Sequence, residues 1–125
     1  MNKKIEDKID EMIYEYFINY CEEANKNDLI RYIQKYNIDV NFDNGYYLEL
    51  VAERNDIELF DVMIKYGGDI TLNNYGVLRL IAHRGYLGFL GYLVGKYQIN
   101  CNVLKDSSAY NNYNEIKKYI DNNID

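Results

Sequence analysis

Leu48-Glu49-Leu50-Val51-Ala52-Glu53-Arg54-Asn55-Asp56-Ile57 stands thirty residues upstream of Leu78-Arg79-Leu80-Ile81-Ala82-His83-Arg84-Gly85-Tyr86-Leu87, and the two stretches place apolar side chains in the same order. The register holds downstream, where Leu59, Phe60, Met63 and Ile64 align with Phe89, Leu90, Leu93 and Val94. Upstream, Ala24-Asn25-Lys26-Asn27-Asp28-Leu29 repeats the element from Ala52 to Ile57 at a slightly shorter spacing. Tyr36-Asn37-Ile38-Asp39-Val40-Asn41 answers Tyr66-Gly67-Gly68-Asp69-Ile70-Thr71, and Tyr97-Gln98-Ile99-Asn100-Cys101-Asn102 is a further echo. A fixed period of this size marks an array of identical supersecondary units.

Each unit holds two short apolar-periodic segments, about residues 46–53 and 57–66 in one copy and 76–83 and 87–97 in the next. Asn55 or Gly85 stands where the first helix must stop. The polar tips Phe42-Asp43-Asn44-Gly45 and Leu72-Asn73-Asn74 reverse the chain. The unit is therefore helix, turn, helix, tip, and the fold class is all-α. Neither helix is long enough to be stable alone in water. Stacking the units solves that, because small Ala52 and Ala82 allow close approach while the Leu, Ile and Val rows merge into one core.

These residues resemble the ankyrin repeat. Its pattern is met by Leu48, Leu50, Ala52, Ile57, Glu58, Ile64, Gly67, Asp69 and Ile70, and again by Leu78, Leu80, Ala82, Gly85, Leu87, Leu90, Leu93 and Val94. The Thr-Pro pair of the family is replaced by Tyr46-Tyr47 and Gly76-Val77, its His by Glu49 or Arg79, and the unit is about three residues short. Asn74-Tyr75-Gly76-Val77-Leu78-Arg79-Leu80-Ile81-Ala82 is similar to the short units of giant-virus ankyrin proteins. The resemblance implies a single ankyrin-repeat solenoid over 1–125, with an N-terminal cap and degenerate repeat in 1–41, repeats at 42–72 and 73–103, and a C-terminal cap in 104–125. In the caps, Ile9, Met12, Ile13, Tyr16, Phe17 and Tyr20 form a one-sided apolar stripe. Ile116, Tyr119 and Ile120 form a weaker one after Asn111-Asn112-Tyr113-Asn114.

Bulk properties narrow the partners. The 125 residues suit one domain, and 48% apolar content argues against disorder. A formal charge of −6 repels phosphate backbones and anionic lipid, so neither nucleic acid nor membrane is expected as a partner. The opening Met1-Asn2-Lys3-Lys4-Ile5-Glu6-Asp7 alternates charges instead of forming an apolar leader core, and no stretch reaches the ~20 apolar residues of a bilayer span. Cys21 and Cys101 are expected to be free buried thiols, which suits an intracellular, cytoplasmic setting. Fifteen tyrosines with no Trp or Pro, beside abundant Asn, Lys and Ile, read as the codon bias of an AT-rich genome.

No catalytic signature emerges. His83 is the one histidine, with no Ser or Cys near it in sequence. Two Cys and one His lack zinc-site spacing, so no metal or other cofactor is expected. Gly91-Tyr92-Leu93-Val94-Gly95-Lys96-Tyr97 imitates a phosphate-binding loop, but its first Gly is one residue too close and Tyr97 replaces Ser or Thr. The chain is expected to bind rather than to catalyse.

Two surfaces are candidates. By the resemblance, the concave face formed by the tips and the exposed side of each first helix holds a protein partner, as in an adaptor or decoy. Its residues here are Asn44, Tyr46, Glu53, Arg54, Asn73, Tyr75, Arg79, His83 and Arg84. The arginines make the face locally basic, which suits an acidic partner segment with Tyr46 and Tyr75 as anchors; alternatively Glu49 and Arg79 pair with each other in a ladder between repeats. The second surface is the segment from Tyr86 to Gly95, which carries no charge before Lys96 and puts Gly88, Gly91 and Gly95 on one side of a helix. With Phe89 and Tyr92 it offers three outcomes: cover by the C-terminal helix, self-association into a homodimer, or simple drift.

Overall fold

The same local devices recur at the repeat spacing and define the helix ends. Asn25 Oδ1 accepts from the Asp28 N–H at 2.9 Å, and Asp56 Oδ1 accepts from Leu59 N–H at 3.1 Å, so each starts a helix as an N-cap. Asn37, Gly67 and Gln98 all take left-handed backbone (φ 49°, 96° and 51°) at the far end. There Ile38, Gly68 and Ile99 N–H groups reach the carbonyls of Ile33, Met63 and Val94, five residues back, closing a Schellman-type end each time. An Asx turn follows in every copy: Asp39, Asp69 and Asn100 side chains accept from the N–H two residues on, each at 2.9 Å.

In the computed structural model, which describes residues 3–106, 110 and 113–124, the described residues form seven α-helices and contain no strand, and these devices bound the second helix of each hairpin. The helices are α1 (Lys3–Glu23), α2 (Lys26–Tyr36), α3 (Tyr46–Ala52), α4 (Ile57–Lys65), α5 (Leu72–His83), α6 (Leu87–Tyr97) and α7 (Asn114–Asn122); a 3₁₀ turn spans Cys101–Leu104. Consecutive helices pair as hairpins α1–α2, α3–α4 and α5–α6. The first helices pack in a row, α1 on α3 and α3 on α5, while α2 packs on α4 and the 3₁₀ turn on α5 and α7.

The core follows the repeat. Leu48, Val51, Ala52, Phe60 and Met63 are fully buried, and so are their partners thirty residues on, Leu78, Ile81, Ala82, Leu90 and Leu93. Phe60 and Phe89 meet edge-on with ring centroids 5.2 Å apart, bridging α4 and α6. At the C-terminal end Ile116 and Ile120 of α7 are buried, and the Cys101 N–H donates to the Asn123 carbonyl at 3.0 Å. The expected polar approach to that helix includes residues 111 and 112, which lie outside the described residues. Cys21 and Cys101 are both free and buried. Among the described residues no helix is long and apolar enough to cross a membrane.

At the N-terminal end the expected stripe is covered in part only. Of Ile9, Met12, Ile13, Tyr16, Phe17 and Tyr20, only Phe17 is fully buried; Ile13 and Tyr20 are half-buried, and Ile9, Met12 and Tyr16 are exposed. The reason is geometric. The stripe is wide, and α2 and α3 lie against one edge of it only.

Candidate partner-binding face

The tips are built from left-handed backbone. Asp43, Asn44 and Gly45 have φ of 60°, 53° and 86°, and Asn73, Asn74 and Tyr75 have φ of 56°, 53° and 59°. Asn and Asp tolerate this region better than other non-glycine residues, which explains their concentration here. Because the second triplet is left-handed, the regular part of α5 begins at Gly76. Neighbouring tips are clipped together: Asn44 Oδ1 accepts from Asn73 N–H at 3.2 Å. Asn41 adds a two-sided clamp, its Nδ2 donating to the Gly67 carbonyl at 2.9 Å and its Oδ1 accepting from Asp69 N–H at 2.8 Å.

Below the tips, an open groove of about 460 Å³ runs across α3 and α5, lined by Glu49, Asn73, Asn74, Gly76, Arg79, Leu80 and His83. Glu49 Oε2 accepts from Asn73 Nδ2 at 3.4 Å on one wall. Arg79 is half-buried in the groove and makes no hydrogen bond or ion pair with any described residue. The alternative offered for these two residues, a Glu49–Arg79 pair, is therefore not formed. His83 stands exposed at the rim. A Cβ on Gly76 would sit 3.0 Å from Asn73 Nδ2 and 3.1 Å from Glu49 Oε2, so glycine leaves room for this polar wall.

The other two arginines of the predicted face are engaged within the chain. Arg54 Nη1 donates to the Ala24 carbonyl at 2.8 Å and the Cys21 carbonyl at 3.3 Å, satisfying acceptors at the C-terminal end of α1. Arg54, expected to add positive charge to the concave face, thus also clasps its own hairpin to the end of α1. Arg84, thirty residues on, reaches back in the same way but grips a side chain: its Nε and Nη2 each lie 2.8 Å from a Glu53 carboxylate oxygen. Hydrogen bonding by Arg84 holds the Glu53 carboxyl below its ordinary pKa. Tyr86 Oη donates to the Glu53 carbonyl at 2.9 Å and completes the joint. The contact between neighbouring first helices thus runs through Glu53 and Arg84, about one helical turn beyond Glu49 and Arg79. Of the predicted aromatic anchors, Tyr46 is exposed and edge-on to Tyr47, and Tyr75 is half-buried.

On the opposite side, α6 buries Phe89, Leu90, Leu93 and Val94. Tyr86 and Tyr92 are half-buried, the latter donating to Asp61 Oδ2 at 2.8 Å. A Cβ on Gly91 would lie 3.7 Å from Tyr119 Oη, so α7 reaches over that glycine, whereas Gly88 and Gly95 face open space. A scan of the chain against protein families, curated proteins and solved structures finds no match in any of the three.

Proposed function

We propose that this chain is a non-catalytic ankyrin-repeat module, a short capped solenoid that holds a protein segment bearing a carboxylate in the groove between α3 and α5. The observation that carries the proposal is Arg79: a half-buried arginine lining an open groove, without a partner among the described residues. Guanidinium donors match a carboxylate bidentately, and such charge-assisted bonds are among the strongest available to a binding site. Asn73 and Asn74 supply amide groups on one side, and Leu80 supplies an apolar contact. Glu49 on the other wall gives the groove a second pole, so a segment presenting a carboxylate next to a hydrogen-bond donor suits it better than a uniformly acidic one. The register of buried side chains at thirty-residue spacing supports the repeat assignment.

Fluorescence anisotropy with labelled Asp/Glu-containing and Lys-rich peptides of equal length tests this reading. Selective binding of the acidic set is expected, weakened by roughly tenfold to a hundredfold in Arg79→Glu. Arg31→Glu, at an exposed position of α2, should leave binding unchanged. Equal binding of both peptide sets, or indifference to Arg79→Glu, overturns the proposal.

A further inference from the structure

The outer side of α1 carries Ile5, Ile9, Met12 and Tyr16 exposed at 52%, 42%, 52% and 57%. Their spacings of four, three and four residues are those of the a and d positions of a coiled-coil seam, on a single helix that packs its other side on α3. Between this stripe and α2 lies a groove of about 340 Å³, bounded by Ile9, Met12, Ile13 and Tyr16 on α1 and by Tyr32 and Tyr36 on α2. Four large apolar side chains in a row beside an apolar groove form a surface that water disfavours.

We infer that a second copy of this chain covers the stripe, with the two α1 helices antiparallel about a two-fold axis. The charges beside the stripe select this occupant. Lys8 and Glu15 lie seven residues apart, so both fall on the same flank, the g position when Ile9 and Tyr16 are a. Both are exposed, and neither makes an ion pair with a described residue. In an antiparallel pair like flank meets like flank, and centring the axis midway between residues 8 and 15 puts Lys8 of each copy beside Glu15 of the other. That axis lies about one residue from the midpoint of the Ile5–Tyr16 stripe, so the two stripes still meet along most of their length. Asp7, Asp10 and Glu11 occupy f, b and c positions, away from the seam, so the acidic side of the helix does not oppose itself. The arrangement follows from the self-complementarity of the helix face.

Sedimentation equilibrium of the full chain tests it, with far-UV circular dichroism confirming helix content in every variant. The parent is expected to dimerise and Met12→Glu to be monomeric over the same concentrations. Lys8→Glu and Glu15→Lys should each raise the dissociation constant by roughly tenfold, because each places like charges together twice. The double variant Lys8→Glu/Glu15→Lys restores opposite charges across the axis and should return to within about threefold of the parent. A monomeric parent, a dimer indifferent to Met12→Glu, or a double variant as weak as the singles would overturn the inference.

Discussion

Arg54 and Arg84 occupy equivalent positions and reach the same way, yet one binds backbone carbonyls and the other a carboxylate. The two guanidiniums end in different places: one on the carbonyls at the C-terminal end of α1, the other on the Glu53 carboxylate, although Glu23 stands where Glu53 does in the preceding hairpin. The Glu53–Arg84 pair is exposed, with 37% and 44% of the two side chains accessible, so its contribution to stability is small and screened by salt. It should still be visible in titration. The Glu53 carboxyl is held low in the folded protein, so its contribution is present above the ordinary glutamate pKa and fades as pH falls through the lowered folded value. Carbon-detected NMR titration is expected to find Glu53 below the ordinary glutamate value, and Arg84→Ala should move it back up. A Glu53 midpoint unmoved by that change would mean the pair is not formed in solution. None of this pairing was legible beforehand. Helix periodicity identifies which side chains share a face, but a reach of thirty residues to a carbonyl leaves no mark in composition or spacing.

At the scale of the helix, glycines separate two kinds of position. A Cβ on Gly68 would meet the Met63 carbonyl oxygen at 2.9 Å and Leu48 Cδ2 at 3.0 Å, so the α4 end must lie tight against α3. On α6, Gly88 and Gly95 meet nothing within 4 Å. Gly68→Ala should therefore destabilise by about 1–3 kcal/mol. Gly88→Ala and Gly95→Ala should each stabilise by up to about 1 kcal/mol through helix propensity. Urea denaturation of the three variants checks both signs; a loss of stability in Gly88→Ala would show that something packs on that face. The helix boundaries themselves were readable, since Asn55, Gly85 and the Asn-rich tips adopt the left-handed backbone their chemistry favours. The exposure of α1 was not. Its stripe is as regular as a buried one, because amphipathic spacing records a shared side and carries no information on whether a neighbour lies against it.

For the whole molecule, the claim on which the groove depends is that the hairpins stack in register. That places Glu49 of α3 across from Arg79 of α5, and only a translational stack brings those residues to one groove. The repeat was legible because burial obeys it: residues matched at thirty positions are buried together, from Leu48 with Leu78 to Met63 with Leu93. The chain contains four phenylalanines, and Phe60 and Phe89 come from consecutive second helices. A NOESY spectrum of protein with selectively protonated phenylalanine rings tests the stack most directly. Ring centroids 5.2 Å apart predict a strong Phe60–Phe89 cross-peak. Its absence from the folded protein would contradict the stacking of α4 and α6, and with it the groove.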